Sequence, residues 1–289
     1  MSPQISLTGI DHIIIAVQDL DQATDDYTQV LGFAPSWRGT HKNYGTKNAL
    51  FCVENTYLEL LAPEADAPAS LRLREHIAQH QEGLYGMALG CKDLDQARNA
   101  LKQQQIDCPE IAQGQGIDAT SGAMRTWKNL FLPMTATGGA LVFFIEHLTG
   151  ELRASDKLPN HVHRLDHLVV QTGHPERLIA TYRDTWNMRL SLDQHIEKWG
   201  GRMLFFRLNK TTIEVISGPE QSANTKDSLW GLAWNVKDIR ATRNRLVQAG
   251  VQVSQARNGR KPDTLVCTVR SHTHNVPTLF IEHTASAHT

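Results

Sequence analysis

The sequence predicts an α+β fold of four βαβββ modules that pair into two half-barrel, cup-shaped mixed sheets. Four segments each read as a short apolar strand, a turn and an amphipathic helix, and they begin at Asp11, Tyr85, Asp166 and Trp230. Three further strand candidates follow each helix. A module of roughly 50–60 residues has one apolar sheet face that it cannot bury alone, so the modules must pair.

The first and last modules display these elements most clearly. Gly32 and Gly250 follow the first and last helices, where a left-handed C-terminal cap is expected. The first helix carries an apolar stripe at helical spacing, made of Leu20, Ala23, Tyr27, Val30 and Leu31. The strands expected after the two helices are Ser36–Arg38, Ala49–Glu54 and Tyr57–Leu61 in the first module, and Val251–Ala256, Leu265–Val269 and Thr278–His283 in the last.

A length of 289 residues exceeds the usual size of a single core and predicts two domains. The N-terminal domain is expected over residues 1–148, with its two modules dividing near residue 83 and an extra helix within Ala65–Gly83. The polar stretch 149–164, which contains Pro159, is the expected linker. The C-terminal domain is expected over residues 165–289, with its modules dividing near residue 227.

Composition excludes several classes of partner. The net charge of −1 and the pI near 6.9 give no electrostatic reason to expect nucleic acid or an anionic membrane. No apolar stretch is long enough to cross a bilayer, and the N-terminus lacks the pattern of a signal peptide, so a cytoplasmic location is expected. The four cysteines show no metal-site or disulfide spacing.

A His–Glu pair recurs at one interval in the two halves of the chain. His12 precedes Glu59 by 47 residues, and His167 precedes Glu214 by the same 47 residues. Each histidine opens an apolar strand, and each glutamate lies inside another apolar strand. A carboxylate in such surroundings must be paired, hydrogen-bonded or bound to metal. The repeat therefore indicates duplication and an ion or ligand site.

Alignment of the four modules extends this pattern. Gly86 and Gly231 stand in the even modules where the odd modules have histidine. His147 and His283, each one residue beyond a glutamate, are expected on the opposite strand face. Solvated strand ends and structural His–Glu hydrogen bonds are the alternative explanation for any single glutamate. The aligned glutamates are Glu59, Glu146, Glu214 and Glu282.

The motifs HIIIAVQDL and YLELL, set in βαβββ modules, resemble the vicinal oxygen chelate superfamily, which includes glyoxalase I, extradiol dioxygenases and bleomycin-resistance proteins. The first half, through HKNYGTKNALFCVENTYLELLAPE and GGALVFFIEH, is most similar to the glyoxalase-like-domain branch. The second half resembles it through GRMLFFRLNKTTIEVISGP and NGRKPDTLVCTV. The resemblance covers about residues 9–284 and is more specific for fold than for reaction.

The resemblance implies a divalent metal ion, which could be Fe, Mn, Ni, Co or Zn. Its expected ligands are His12, Glu59 and Glu146 in the first half, and His167, Glu214 and Glu282 in the second. A crossed pairing of the modules would instead exchange Glu146 and Glu282 between the two sites. The sequence leaves this choice open.

The expected activity is that of a metal-dependent lyase or isomerase acting on a small oxygenated metabolite through chelated substrate oxygens. Glu59 and Glu214 are the candidate bases that move the proton. A one-histidine, two-carboxylate ligand set disfavours a ring-cleaving dioxygenase, unless His41 joins it. The alternative is a metal-free small-molecule binding protein of the bleomycin-resistance kind. If only one half is active, the second half is favoured by its neighbouring Arg260 and Trp230.

Further residues are candidates for substrate contact, and each also has an ordinary structural explanation. His41 and Asn48 flank a loop of the first half, which could equally be a polar hairpin. Arg202 and Arg260 could bind an anionic group or belong to solvated hairpins. Trp230 could form an aromatic wall or pack in the core. The expected partners are a small-molecule substrate and, as an option, a second copy of the chain in a homodimer.

Overall fold

A computed structural model describes residues 5–219, 221 and 226–284, and it contains two eight-stranded sheets. The first half comprises β1 (Leu7–Ala16), α1 (Leu20–Leu31), β2 (Trp37–His41), β3 (Thr46–Cys52), β4 (Tyr57–Pro63), α2 (Pro68–His80), β5 (Gly83–Cys91), α3 (Leu94–Gln103), β6 (Ala112–Asp118), β7 (Met124–Phe131), α4 (Met134–Thr137) and β8 (Leu141–Thr149).

The second half repeats the pattern. It comprises β9 (Arg164–Gln171), α5 (Pro175–Leu178) continued by a π-helical segment (Ile179–Thr185), β10 (Arg189–Ile196), a 3₁₀ turn (Glu197–Trp199), β11 (Gly201–Leu208), β12 (Thr211–Ser217), β13 (Ser228–Asn235), α6 (Ile239–Gln248), β14 (Arg257–Asn258), β15 (Thr264–Val269) and β16 (Thr278–His283). None of the helices in the described ranges is long and apolar enough to span a membrane.

The expected α+β fold of paired βαβββ modules is confirmed, and consecutive modules pair with each other. In the first sheet the strand order is β1-β4-β3-β2-β6-β7-β8-β5, and it closes into a barrel where β1 meets β5 and β2 meets β6. The second sheet has the order β10-β11-β12-β9-β13-β16-β15-β14. The crossed pairing that the sequence left open is therefore not adopted. The closed barrel goes beyond the expected half-barrel shape.

Local signals explain where α1 begins and ends. The Asp19 side chain accepts hydrogen bonds from the backbone N–H groups of Asp21 and Gln22, which caps the first turn. Gly32 ends the helix with φ of 85° in the left-handed region, as the sequence predicts. The predicted apolar stripe of this helix is buried in the core.

The helix of the third module differs from the expected amphipathic α-helix. Only one α-helical turn forms before the chain widens into π-helix, with the N–H of Trp186 bonded to the carbonyl of Thr181. The Tyr182 and Trp186 rings, which are both buried, stack at 4.8 Å between centroids. The wider turn lets these two large rings pack together, which the period of the sequence alone does not reveal.

The expected strand Val251–Ala256 is another departure, and β2 and β3 differ from the expected Ser36–Arg38 and Ala49–Glu54 by up to three residues at their ends. Val253 forms a single bridge with Val269, and the ladder proper begins only at β14, which has two residues. The flanking strands β15 and β16 agree with prediction to within one residue. The last module therefore ends its sheet with a very short edge strand, a common protection against pairing with other chains.

The halves are joined through one continuous apolar core beneath the helices and by polar contacts. The Asn55 side chain bonds both the N–H and the carbonyl of Leu165 across the two halves, at 3.0 and 2.8 Å. His274 lies between the carboxylates of Glu82 and Asp26, at 2.7 and 3.1 Å. A second, smaller apolar cluster lies inside the barrel and consists of Ile14, Ala88, Phe143 and Ile145.

Candidate functional site

The interior of the first barrel contains a cavity of about 370 Å³. Strand alternation places its lining, because Tyr57, Glu59 and Leu61 of β4 all face inward while Leu58 and Leu60 join the outer core. The expectation that Glu59 shares a face with its strand neighbours at alternate positions agrees with this placement. The wall is mainly aromatic and is formed by Trp37, Tyr44, Tyr57, Tyr85, Trp127, Phe131 and Phe143.

A chain of four polar side chains crosses one wall of this cavity. Glu59 Oε2 lies 3.3 Å from His12 Nε2, and His12 Nδ1 lies 2.7 Å from Asp11 Oδ1. The other Asp11 oxygen lies 2.9 Å from His147 Nε2. The His12 ring is stacked on the Tyr57 ring at 4.7 Å between centroids. Asp11 therefore fixes the orientation of His12 and leaves His12 Nε2 directed at the glutamate.

The carboxylate of Asp11 remains ionised well into acid. Burial by itself raises its pKa, but hydrogen bonds from His12 and His147 outweigh burial and hold the pKa far below the ordinary value for an aspartate. The row of side chains from Glu59 to His147 therefore contains an ionised carboxylate between two imidazole rings. This arrangement resembles a carboxylate that orients a catalytic or ligating histidine.

His41 and Asn48 form the second polar group of the cavity. The Asn48 amide donates to Glu59 Oε1 at 2.7 Å and lies 3.3 Å from His41 Nε2. Burial lowers the pKa of His41 in spite of the nearby Glu59 charge, which favours its neutral form. A neutral His41 accepts from Asn48 and donates its Nδ1 proton to Thr46 Oγ1, 3.1 Å away. The Oδ1 atom of Asn48 is buried without a hydrogen-bond partner.

The second half of the protein contains the equivalent row of four polar side chains, and its histidine and glutamate are more exposed to solvent. Glu214 Oε2 lies 3.3 Å from His167 Nε2, His167 Nδ1 lies 2.9 Å from Asp166, and Asp166 Oδ2 lies 2.6 Å from His283. The His167 and Glu214 side chains are 18% and 16% exposed, against 5% and 8% for His12 and Glu59. The two repeats therefore share a polar network but differ in enclosure.

Three neighbouring charged groups act on the pKa of Glu214. Burial raises the pKa of its carboxyl, while His167 and Arg260 oppose that rise and Asp166 adds to it. Arg260 is thus near enough to influence the carboxylate, although its own side chain is exposed. The site around Glu214 is therefore partly exposed to solvent, and the Arg260 cation lies close to it.

The structure corrects the positions assigned to Glu146 and Glu282. Glu146 Oε2 accepts from the N–H of Leu94 at 3.1 Å, and Glu282 Oε2 accepts from the N–H of Ile239 at 2.8 Å. Both carboxylates therefore cap helices on the outer side of their sheets, away from His12 and His167. The Glu146 carboxylate also lies 3.6 Å from Lys128 Nζ.

Strand register explains this error. Glu59 pairs with Ile14 in the parallel ladder of β4 and β1, and the equivalent ladder of β8 and β5 pairs Phe143 with Ala88. Phe143, three residues before Glu146, is therefore the true counterpart of Glu59. An offset of three residues reverses the face on which a strand side chain lies.

His147 and His283 lie at the sites, contrary to expectation. His147 lines the barrel cavity and bonds Asp11, and His283 bonds Asp166. Their assignment to the opposite face followed from the assumption that Glu146 and Glu282 point inward. The signal that could have identified them is the histidine shared by the FFIEH and LFIEH motifs of the two even modules.

One substrate-contact candidate, Arg202, lies elsewhere. Arg202 donates to Asp193 at 2.7 Å and also bonds Glu176 of α5, so its guanidinium is engaged on the helix-covered side. Those hydrogen bonds raise the pKa of Arg202 above its usual range. Trp230 stands at a β-bulge of β13 and is 44% exposed, whereas Trp234 is fully buried in the outer core.

The donor set does not fit the expected three-ligand metal ion. Of the four ligand positions implied in the first half, His12 and Glu59 occupy two, while Gly86 and Phe143 occupy the others. Across the described residues, no group of three or more His, Cys, Asp or Glu side chains is arranged to hold a metal. Protein-held divalent ions of this kind use at least three such ligands.

Comparison with known proteins identifies the family to which the sequence is similar. A family model described as "Glyoxalase-like domain" matches residues 10–185, and one described as "Glyoxalase/Bleomycin resistance protein/Dioxygenase superfamily" matches residues 166–268. "Uncharacterized protein YqjC" of Bacillus subtilis (strain 168) is 30% identical over 141 residues, which cover 48% of this chain and 93% of that protein.

Solved structures agree on the fold. A mutant of 4-hydroxymandelate synthase from Streptomyces coelicolor superposes with a TM-score of 0.69 at 16% identity, covering 98% of this chain and 95% of the other. A hypothetical protein from Staphylococcus aureus gives 0.67 at 13% identity, covering 94% and 98%. The first family model spans more than half of the sequence. The chain therefore belongs to the glyoxalase-like domain family of the vicinal oxygen chelate superfamily.

Proposed function

We propose that the chain is an enzyme of the lyase or isomerase type, which binds a small oxygenated organic molecule in the barrel and uses Glu59 to move a proton. The observation that carries this proposal is the barrel cavity in which the buried Glu59 side chain is held by His12 and Asn48. A carboxylate shielded from water is a more effective base toward a substrate C–H than one in bulk solvent.

The proposed proton transfer needs only groups of this chain. The Glu59 carboxylate accepts a proton from a carbon beside the substrate carbonyl, and the C–H electron pair forms the carbon–carbon double bond of an enolate. Return of the proton to another carbon of a conjugated enolate completes an isomerisation. Departure of a leaving group with its electron pair completes an elimination. Neither route requires an oxidant or reductant.

His12 and Asn48 act as positioning residues in this scheme. The Asn48 amide donates a hydrogen bond to Glu59 Oε1, and His12 contacts Glu59 Oε2. These two contacts fix the directions in which the remaining carboxylate lone pairs point. The Asp11 charge holds the His12 ring in place. Because the geometry of the base is fixed before substrate binds, little reorganisation is needed during the transfer.

The first half of the chain supports this proposal better than the second half. The sequence had favoured the second half for the case in which only one half is active. His41 and Asn48 line its cavity, whereas Ile196 and Met203 stand at the positions 155 residues further on. The cup around Glu214 is more exposed to water. Exposure weakens a carboxylate as a base toward carbon acids.

A second candidate function is binding without turnover, as a sequestering protein would perform. The aromatic lining favours it, since rings such as Trp37, Trp127 and Phe131 give a flat organic ligand large contact area at low entropic cost. This function needs the cavity but not the basicity of Glu59.

Proton exchange distinguishes the two functions. Candidate carbonyl compounds are incubated in D₂O with wild type, Glu59→Gln and the matched Glu214→Gln, and deuterium at carbon is followed by NMR. Wild type and Glu214→Gln are expected to catalyse exchange, and Glu59→Gln to lose at least about 100-fold in rate. Binding without exchange supports sequestration. Equal exchange by wild type and Glu59→Gln would overturn the assignment of Glu59.

A further inference from the structure

Arg125 is a buried cation for which the described residues supply no anionic partner. Its side chain is on β7 and is 7% exposed, and none of the ion pairs formed among the described residues includes it. Its Nη2 atom lies 3.5 Å from His147 Nδ1, and its buried Nε atom has no hydrogen-bond partner in the part of the chain that the structure describes. An uncompensated guanidinium in such a place is costly to the fold, which points to a missing partner.

The guanidinium is held where a ligand can reach it. Arg125 and Trp127 lie at alternate positions of β7, and both line the cavity. The guanidinium carbon lies 5.8 Å from the Trp37 ring centroid and 5.7 Å from the Tyr57 ring centroid. These rings stabilise the cation without using its in-plane N–H donors. Nη2 contacts His147 and Nε is buried, so the remaining Nη hydrogens are the donors for a forked hydrogen bond to a planar anion.

We infer that the ligand of this cavity is a small aromatic carboxylic acid whose carboxylate pairs with Arg125. The carboxylate supplies the charge and the two acceptors that the guanidinium lacks. The aromatic body packs in the apolar part of the cavity against Phe131 and Phe143, and a volume of about 370 Å³ limits it to a small molecule. This inference rests on the proposed function, because it names the substrate class of the same site.

A ligand carboxylate bound at Arg125 would not occupy the position of the Glu59 carboxylate. Glu59 is already bonded to Asn48 and faces His12, whereas Arg125 contacts His147 and the Trp37 and Tyr57 rings. A substrate bound by its carboxylate at Arg125 thus keeps the rest of its skeleton free to approach the base. Arg125 and Glu59 together would therefore fix the orientation of a bound substrate in the cavity.

Calorimetric titration with phenylacetate and its neutral counterpart phenylacetamide tests the inference. Wild type is expected to bind the acid at least about tenfold more tightly than the amide. Arg125→Gln should remove that preference, and Arg125→Lys should keep part of it. Arg98→Gln, which removes a partly exposed arginine paired with Glu110 outside the cavity, is the matched control and should leave the preference unchanged.

The outcomes separate this inference from the proposed function. Equal affinity of wild type for acid and amide, or an acid preference that survives in Arg125→Gln, overturns the carboxylate assignment while leaving a binding cavity in place. Failure of both probes to bind wild type contradicts the ligand site itself. If Arg125→Gln does not fold, as judged by circular dichroism, the wild-type comparison and Arg125→Lys still decide.

Discussion

Glu146 accepts a hydrogen bond from the backbone N–H of Leu94 at 3.1 Å, which ties the last strand of the second module to the first turn of α3. Glu282 makes the equivalent bond to Ile239 in the fourth module, at 2.8 Å. A shared glutamate in the even modules therefore serves the fold. The glutamates of the odd modules, Glu59 and Glu214, face the candidate sites.

Glu146→Ala and Glu282→Ala are expected to lower the free energy of unfolding by about 1 kcal/mol each, because each removes the acceptor of the first helical N–H and one negative charge near the helix N-terminus. The N-cap aspartates Asp93 and Asp238 remain in these variants. Urea denaturation measures the change. Glu110→Ala removes a carboxylate that is 86% exposed and should change stability much less. Ligand binding should stay as in wild type, and a loss of binding would place these glutamates at the site after all.

Asp11→Asn is expected to destabilise the protein by roughly 2 kcal/mol at pH 7. The pKa of Asp11 is lowered in the folded state by His12 and His147, so its contribution is complete above the unfolded pKa, about 3.9. That contribution is lost as pH falls toward the folded pKa. Denaturation curves at several pH values should show the gap between wild type and Asp11→Asn narrowing below about pH 5. Asp25→Asn, at an exposed position of α1, should show no such gap.

Glu214→Gln is expected to raise the free energy of unfolding at pH 7. Burial raises the pKa of Glu214 in the folded state, so its ionisation opposes folding, and this penalty grows as pH rises through the folded pKa. The gain should vanish when pH falls below the unfolded pKa. Because Arg260 lowers the pKa of Glu214, the gain should be larger in an Arg260→Gln background. A destabilised Glu214→Gln protein at pH 7 would contradict this prediction.

Phe143→Glu is expected to increase the affinity for Ni²⁺ or Zn²⁺ at least about tenfold over wild type. Phe143 is the strand counterpart of Glu59, and its ring contacts the His12 ring at 5.6 Å between centroids, so a carboxylate there completes a three-ligand set. Calorimetry and elemental analysis of protein purified without chelator measure the effect. His12→Ala added to Phe143→Glu should abolish the gain. Stoichiometric metal in wild type would show that its own donor set suffices.

Much of the scaffold could be predicted because it depends on short patterns. Leu20 and Tyr27 mark the buried face of α1, and Gly32 marks its end, since helical period and left-handed caps are local properties. The π-helical turn at Tyr182 and Trp186 could not be predicted, because it depends on packing of two rings against the core. Closure of the first sheet depends on pairing of Gly39 with Asp118, which lie far apart in the sequence.

The site was predictable only in part, for a related reason. The interval from His12 to Glu59 fixes one parallel strand pair, and the register of that pair is repeated in the second half. Placement of Glu146 required the register of β8 against β5, which no spacing in the sequence determines. Arg125 escaped notice because an isolated arginine in a strand has no motif, and only burial without a partner distinguishes it.

Closure of the first barrel has a kinetic consequence. No strand can leave a closed sheet without breaking hydrogen bonds on both of its sides, so a ligand cannot enter by the parting of an edge. Ala69, Arg72 and Leu73 place α2 against the cavity, and this helix has few buried side chains of its own. We therefore expect movement of α2 to widen the way in or out for a ligand. Residence time in the barrel should be set by how often α2 moves, and affinity by what the ligand meets inside.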